Sequence, residues 1–373
     1  MNTRRMSPLS DSTADQKVSH THPFHVFWKG VYKAILFAVS LLLFILALEL
    51  MKRGARDVAP LLESRLGVDH PLNALGFGWL AACLLMSGSP VAAISLTFLD
   101  AHVLDRLQSL FMITGSRLGA SFVVLFIGFL YILRRHERQL SGLTMGLLSL
   151  IVTGSIYLPA LIIGSLLLEY RLLDAVQPER GLALASALER AFEPVVDLLA
   201  GILPNWGIFL VGLGLILASF ALFDRALPNL HLEQSRFAQV SRLLYRPWVM
   251  FALGSTLTLL TLSVSVSLGL LVPLSARGYI RRENAIPYIM GANLTTFVDT
   301  LLAAVLLGNA DAFTIVLVSM ISVALVSLIA LLFFFRRYEQ ALLRLVAWIG
   351  LRSRNLALFM GGILVTATLL LLV

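Results

Sequence analysis

Long apolar runs separated by short polar joints fill almost the whole chain. The runs lie at 26–50, 75–99, 107–133, 143–169, 198–223, 248–275, 284–308, 312–335 and 356–373. Each is close to or above the roughly 20 residues with which a helix crosses about 30 Å of hydrocarbon. No long stretch alternates at period two, as a barrel strand or the strand of a soluble sheet would. The pattern therefore predicts an all-α, polytopic membrane protein. Residues 1–25 are polar and are expected to form a disordered tail. That polar stretch is too long for an ordinary signal-peptide n-region, so the first run reads as a retained helix. The joint at 170–197, with Glu179, Glu189, Glu193 and Asp197, predicts a surface helix, whereas the joint at 224–247 is basic.

Two of the nine runs are broken. Met86-Ser87-Gly88-Ser89-Pro90 interrupts 75–99, and Leu262-Ser263-Val264-Ser265-Val266-Ser267 interrupts 248–275. Serine clusters with Gly or Pro weaken a helix at mid-depth. The backbone groups they free must find partners in protein or water, so such breaks line cavities. The two breaks are related. With Met86 set on Leu262, an offset of 176, Ser87 falls on Ser263, Ser89 on Ser265, Arg106 on Arg282, Ile113 on Ile289, Gly115 on Gly291 and Leu118 on Leu294. Paired interruptions in two halves of a chain are the sequence mark of a solute site between internal repeats.

Charge tests how the broken segments run. If both are re-entrant hairpins, Lys and Arg divide 20 against 8 between the two sides, with Arg117 inside; if both cross fully, they divide 17 against 11. The positive-inside rule favours the hairpins and a cytoplasmic N-terminus, hence the plasma (inner) membrane. Three crossings then separate the copies and invert the second relative to the first. The expected organisation is a cytoplasmic tail (1–25), a first transmembrane half (26–170), an extracytoplasmic loop (171–197) and a second half (198–373). The expected fold has two inverted repeats, each with a re-entrant hairpin and an interrupted helix.

Composition agrees with the pattern: 58% of residues are hydrophobic and 13% charged, against about a quarter charged in soluble domains. The net charge of +8 suits arginine at helix ends facing anionic headgroups and does not call for nucleic acid. Cys83 is the single cysteine; it excludes an intrachain disulfide or a cysteine metal cluster and reads as packing. The histidines of HTHPFH (His20, His22, His25) are a weak metal pattern. HExxH, P-loop and GxSxG motifs are absent from the sequence, so no enzyme class is indicated and no catalytic residue is assigned.

The candidate chemistry sits in the paired segments. Ser87, Ser89, Ser263 and Ser265 offer hydroxyls and free N–H groups to a small anion or a partly dehydrated cation; taken singly, such serines bond back to their own helix. Asn293, Thr295 and Thr296 supply oxygens, either to a ligand or between helices. Arg117 and Asp299 are ionisable residues inside apolar helices, which cost several kcal/mol unless paired or hydrated. At the 176 offset Arg117 sits on Asn293 and Asp299 on Val123, neighbouring turns of one helix in opposite copies. The expectation is a salt bridge across the repeat interface or a shared cavity, with Arg117 suited to an anion and Asp299 to sodium or a proton. Asp100, His102 and Asp105 read as solvated loop residues.

The stretch Ser263-Val264-Ser265 through Leu271-Val272-Pro273-Leu274, followed by Arg282-Glu283-Asn284-Ala285-Ile286-Pro287-Tyr288-Ile289-Met290-Gly291-Ala292-Asn293-Leu294, resembles the sodium/phosphate cotransporter family. That family has inverted repeats, each with a glutamine before three serines and a helix bearing Gly-Ala-Asn-Ile-Gly-Thr-Thr. Here Gly291-Ala292-Asn293 matches in the second copy, while the first copy matches by position. Met86 and Leu262 stand where the family has glutamine, Arg117 stands at the Asn position of the first copy, and Thr295-Thr296-Phe297 replaces Gly-Thr-Thr in the second. The resemblance implies secondary transport of a small inorganic anion, phosphate first, with sodium as the coupling ion and no other cofactor; the charge of Asp299 makes that residue the candidate for the coupling ion. The alternative is a diverged, non-transporting scaffold or regulator of the same fold. Oligomeric state is not legible.

Overall fold

A computed structural model describes residues 23–66, 70–134, 140–176, 179–226, 246–264, 266–268, 271, 280–350 and 352–373. The tail residues 1–22, with His20 and His22, lie outside the described residues, as does Ser265. The main elements are the helices α1 (Pro23–Leu66), α2 (Pro71–Leu84), α3 (Ser89–Asp100), α4 (Arg106–Arg134), α5 (Leu140–Glu169), α6 (Glu179–Ala200), α7 (Asn205–Ala226), α8 (Pro247–Thr261), α9 (Arg282–Thr295), α10 (Phe297–Leu307), α11 (Ala310–Ile329), α12 (Phe335–Gly350) and α13 (Ser353–Leu372). A π-helical turn, Ala330–Phe334, joins α11 to α12.

The nine apolar runs resolve into two kinds. Among the described residues, seven helical stretches are long and apolar enough to cross a membrane: Gly30–Pro60, Arg106–Phe126, Leu143–Glu169, Asn205–Ala226, Arg282–Leu307, Ala310–Gly350 and Arg354–Leu372. Among the described residues, the broken runs give shorter apolar helices, α2 and α3 from the first and α8 from the second. Large side chains such as Leu42, Ile162 and Phe333 point outward, as they do where lipid is the solvent. The chain is an integral membrane protein. The expected surface helix at 170–197 is α6.

Two joints are longer helices than the apolar pattern predicts. α1 continues past Lys52, Arg53 and Arg56 to Leu66. Gly54 does not stop it, because that glycine lies against Asn205 and Phe209, where α1 runs along α7 and bare backbone allows close approach. Residues 336–350, read as a polar joint, form the amphipathic α12, whose Leu342, Val346 and Ile349 are buried on one face.

The 176 offset recurs in places the sequence comparison did not use. α2 and α8 begin at Pro71 and Pro247, and α4 and α9 at Arg106 and Arg282. The breaks carry the same backbone anomaly: Met86 (φ 54°) and Leu262 (φ 47°) are both left-handed, a region uncommon for side chains other than glycine, Asn or Asp. α2 packs on α4 as α8 packs on α9. A methyl added to Gly78 would meet the Met112 carbonyl, and one on Gly254 the Tyr288 carbonyl; one on Gly115 would meet Leu75 O, and one on Gly291 Phe251 O. All four contacts obey the offset.

One expectation fails in the first copy. The helix of the second copy is interrupted at Thr296, between α9 and α10, but α4 runs unbroken from Arg106 to Arg134. The Thr296 carbonyl is turned to the Arg117 guanidinium (3.3 Å). Thr296 itself keeps helical dihedrals (φ −62°, ψ −21°), so the interruption is a single residue, and Ala120, its counterpart at the offset, lies inside the unbroken α4.

Gly78→Ala and Gly254→Ala are each expected to cost about 1–3 kcal/mol, the usual range for overpacking, read as a lower melting temperature in detergent. Gly154→Ala and Gly214→Ala, where an added methyl meets nothing, should be neutral or mildly stabilising. Equal effects at all four positions would contradict the close α2–α4 and α8–α9 packing.

Candidate functional site

Each break is built by local backbone chemistry. α2 ends in a Schellman-type turn: Ser87 N–H donates to Ala82 O (3.1 Å), with Met86 in the left-handed position where glycine is usual. Gly88 and Pro90 then start α3. In the second copy α8 ends at left-handed Leu262. The Ser263 hydroxyl accepts from Val266 N–H (3.3 Å), and its carbonyl accepts from Ser267 N–H (3.0 Å).

Arg117 projects from α4 into the gap between the breaks and is 4% exposed. Its Nη1 donates to Ser89 Oγ (3.3 Å) and Thr296 Oγ1 (3.2 Å). Its Nη2 donates to Thr296 O (3.3 Å), Asp299 Oδ1 (3.1 Å) and the Thr300 hydroxyl. The guanidinium also lies 5.2 Å from the centre of the Phe297 ring, within cation–π range. Thr300 in turn donates to Asp299 Oδ1 (2.8 Å). The ion pair is deeply buried, with Asp299 5% exposed. Arg117 Nε and Asp299 Oδ2 have no hydrogen-bond partner.

Beside this pair lies a cavity of about 30 Å³, lined among others by Ser87, Ser89, Arg117, Ser263, Asn293 and Thr296. The two breaks, 176 residues apart in sequence, thus face one space. Arg117 and Asn293, equivalent under the offset, share it. Asn293 is held from behind by α5: its Nδ2 donates to Thr153 Oγ1 (3.1 Å), and Tyr157 donates to its carbonyl (2.9 Å).

Not every candidate reaches the cavity. Thr295 donates to the carbonyls of Ser255 (2.9 Å) and Gly291 (3.2 Å) and joins α9 to α8. Asp299 stands behind Arg117 and not on the cavity wall. Asp100 is not a solvated loop residue. It ends α3, pairs with Lys52 (3.4 Å) and accepts from Asn309 (2.8 Å). It belongs to an open charged vestibule of about 730 Å³ that includes Glu49, Lys52, Asp57 and Glu189. Asp105 caps α4 reciprocally with Gln108 (2.7 and 2.8 Å), while His102 is exposed. At the start of α4, Arg106 grips Asp174 in the loop after α5 (2.6 and 3.0 Å) and holds its carboxyl below the usual range. Cys83 packs against α4, with its thiol toward Gly119 O (3.8 Å).

Sequence reasoning missed Thr153, Tyr157 and Thr300. A hydroxyl in an apolar helix is too common to stand out; only the adjacency of Thr300 to Asp299 offered a hint.

Residues 43–177 match the Na+/Pi-cotransporter family model. The resemblance read from the residues therefore holds, and it is to a family of transporters. The match covers the first copy, where the motif is worn, and not the second copy that suggested the family. α2, α3, Arg117 and Tyr157 all fall inside the matched stretch. Comparisons with curated proteins and with solved structures found no match.

Asp299→Ala is expected to cost about 3–5 kcal/mol, because it strands a buried guanidinium. Arg117→Met with Asp299→Leu should recover most of that loss. Melting temperature and monodispersity in detergent read both. A single variant as stable as the parent would contradict the pairing.

Proposed function

We propose that the protein moves a small inorganic anion, phosphate first, across the bilayer by sodium-coupled secondary transport. The observation that carries this reading is the single cavity enclosed by both breaks, with Arg117 on its wall. In this reading α2–α3, and α8 with the segment after it, are re-entrant hairpins of two inverted repeats. The N-terminus is cytoplasmic, the loop at 171–197 is extracytoplasmic, and the bilayer is the plasma (inner) membrane. Ser87, Ser89, Ser263 and Asn293 bind the anion beside the Arg117 charge; Ser265, outside the described residues, is a further candidate from the sequence. The start of α3 adds N–H groups and the positive end of a helix dipole. Thr296 shapes the wall, and Thr295 braces α9. Asp299, first read as the ligand of the coupling ion, serves as the counter-ion that fixes Arg117. The sodium implied by the family match is held by the hydroxyls and carbonyls of the breaks.

A second reading is a non-transporting scaffold or regulator of the same fold. Two observations favour it: the cavity has room for about one water, and Met86 and Leu262 stand at the family's glutamine positions. Transport requires a conformation in which the breaks part and the cavity opens toward one side.

Uptake of labelled phosphate into proteoliposomes separates the two. The transport reading expects accumulation driven by an inward sodium gradient and lost in Ser87→Ala/Ser263→Ala. Absence of uptake with or without the gradient, by protein that remains folded, would favour the scaffold.

A further inference from the structure

The surroundings of Arg117 are those of a cation site. Five oxygens lie within hydrogen-bond reach of its two terminal nitrogens: Ser89 Oγ, Thr296 Oγ1, Thr296 O, Asp299 Oδ1 and Thr300 Oγ1. They come from the start of α3, from the interruption between α9 and α10, and from the first turn of α10. One is the main-chain carbonyl of Thr296, at the point where α9 gives way to α10, and carbonyls at such junctions coordinate sodium in discontinuous membrane helices. One is a carboxylate, and the other three are hydroxyls with free lone pairs.

We infer that the Arg117 guanidinium is a tethered cation filling an oxygen cage that otherwise binds a small monovalent cation. The charge count selects the valence. Without Arg117 the cage carries one formal negative charge, from Asp299, in a setting where a second uncompensated charge is costly. A monovalent ion balances it, and a divalent ion leaves an excess positive charge. Oxygens around a hard cation stand at about 2.3–2.6 Å, against 3.1–3.3 Å for the cage distances to nitrogen. The freed cage must therefore contract by roughly 0.5–1 Å, or admit a water. The interruption at Thr296 gives it that latitude. Because Arg117 is covalently held on α4, the cage of the parent protein stays filled whatever the sodium concentration. The inference goes beyond the transport reading and holds for a scaffold equally well.

The test is thermal unfolding of the purified full-length protein in detergent, in sodium chloride and in choline chloride of equal ionic strength. Three forms are compared: parent, Arg117→Ala, and Arg117→Ala/Asp299→Asn. Arg117→Ala should melt well below the parent in choline and rise by several degrees in sodium, with saturation, as a bound ligand requires. The double variant, and the parent, whose sodium in the transport reading is held at the breaks and not in this cage, should each rise by several degrees less than Arg117→Ala. Arg117→Lys, which returns a tethered cation, should respond to sodium no more than the parent does. A folded Arg117→Ala that melts alike in both salts overturns the inference. So does an Arg117→Ala that fails to fold even in sodium, and so does an equal saturable rise in the parent, which would place the sodium elsewhere. Loss of phosphate uptake alone, with the sodium response of Arg117→Ala intact, overturns the transport reading and leaves the cage standing.

Discussion

The Arg117–Asp299 ion pair is the constraint around which the two halves of this protein are arranged. Neither charge survives alone among apolar helices. Their attraction repays desolvation only when the remaining donors are satisfied. Ser89 from the first break, with Thr296 and Thr300 from the α9–α10 interruption, accept from the two terminal nitrogens of the guanidinium, while Arg117 Nε and Asp299 Oδ2 are left without partners among the described residues. The pair therefore holds the start of α3, the middle of α4 and the α9–α10 interruption in one place. It also coincides with an asymmetry between the copies, the single-residue interruption at Thr296 that the unbroken α4 lacks at Ala120.

Glycine packing sets the frame in which that pair can form. Lipid tails provide no hydrophobic drive for one helix to seek another, so membrane helices associate by close backbone contact. Gly78 and Gly115 seat α2 against α4, and Gly254 and Gly291 seat α8 against α9 in the same register. Each seated helix then ends at a left-handed residue, Met86 or Leu262, and delivers its serines to the cavity. Such backbone strain persists only where surrounding structure holds it, and it collects at functional sites.

Most of the architecture was legible in the sequence because the bilayer imposes a length rule. The seven long spans and the two broken runs follow from counting apolar residues and noting where serine, glycine and proline interrupt them. The Arg117–Asp299 contact was legible because a charge in lipid must be answered. What remained hidden shares one cause, that local pattern does not report direction. The residues after Leu50 and after Phe335 are polar enough for either a loop or a helix, and only packing against α7 or an amphipathic face decides. Thr295 and Thr296 are adjacent and chemically alike, but they point about 100° apart on a helix, so one braces α8 and the other meets Arg117. Thr153 and Tyr157 act from α5, outside both repeats, where no equivalence pointed to them.

The account rests on the claim that breaks 176 residues apart form one site. Site-directed cross-linking addresses that directly. In a Cys83→Ala background, Ser87→Cys/Ser263→Cys protein in native membranes would be treated with a short bis-thiosulfonate linker, and both cysteines recovered in one linked peptide pair by mass spectrometry. The account expects an intramolecular link in the double variant that Ser87→Cys paired with an α7 cysteine, such as Leu210→Cys, does not give. Two reactive cysteines that never join within one chain would contradict it.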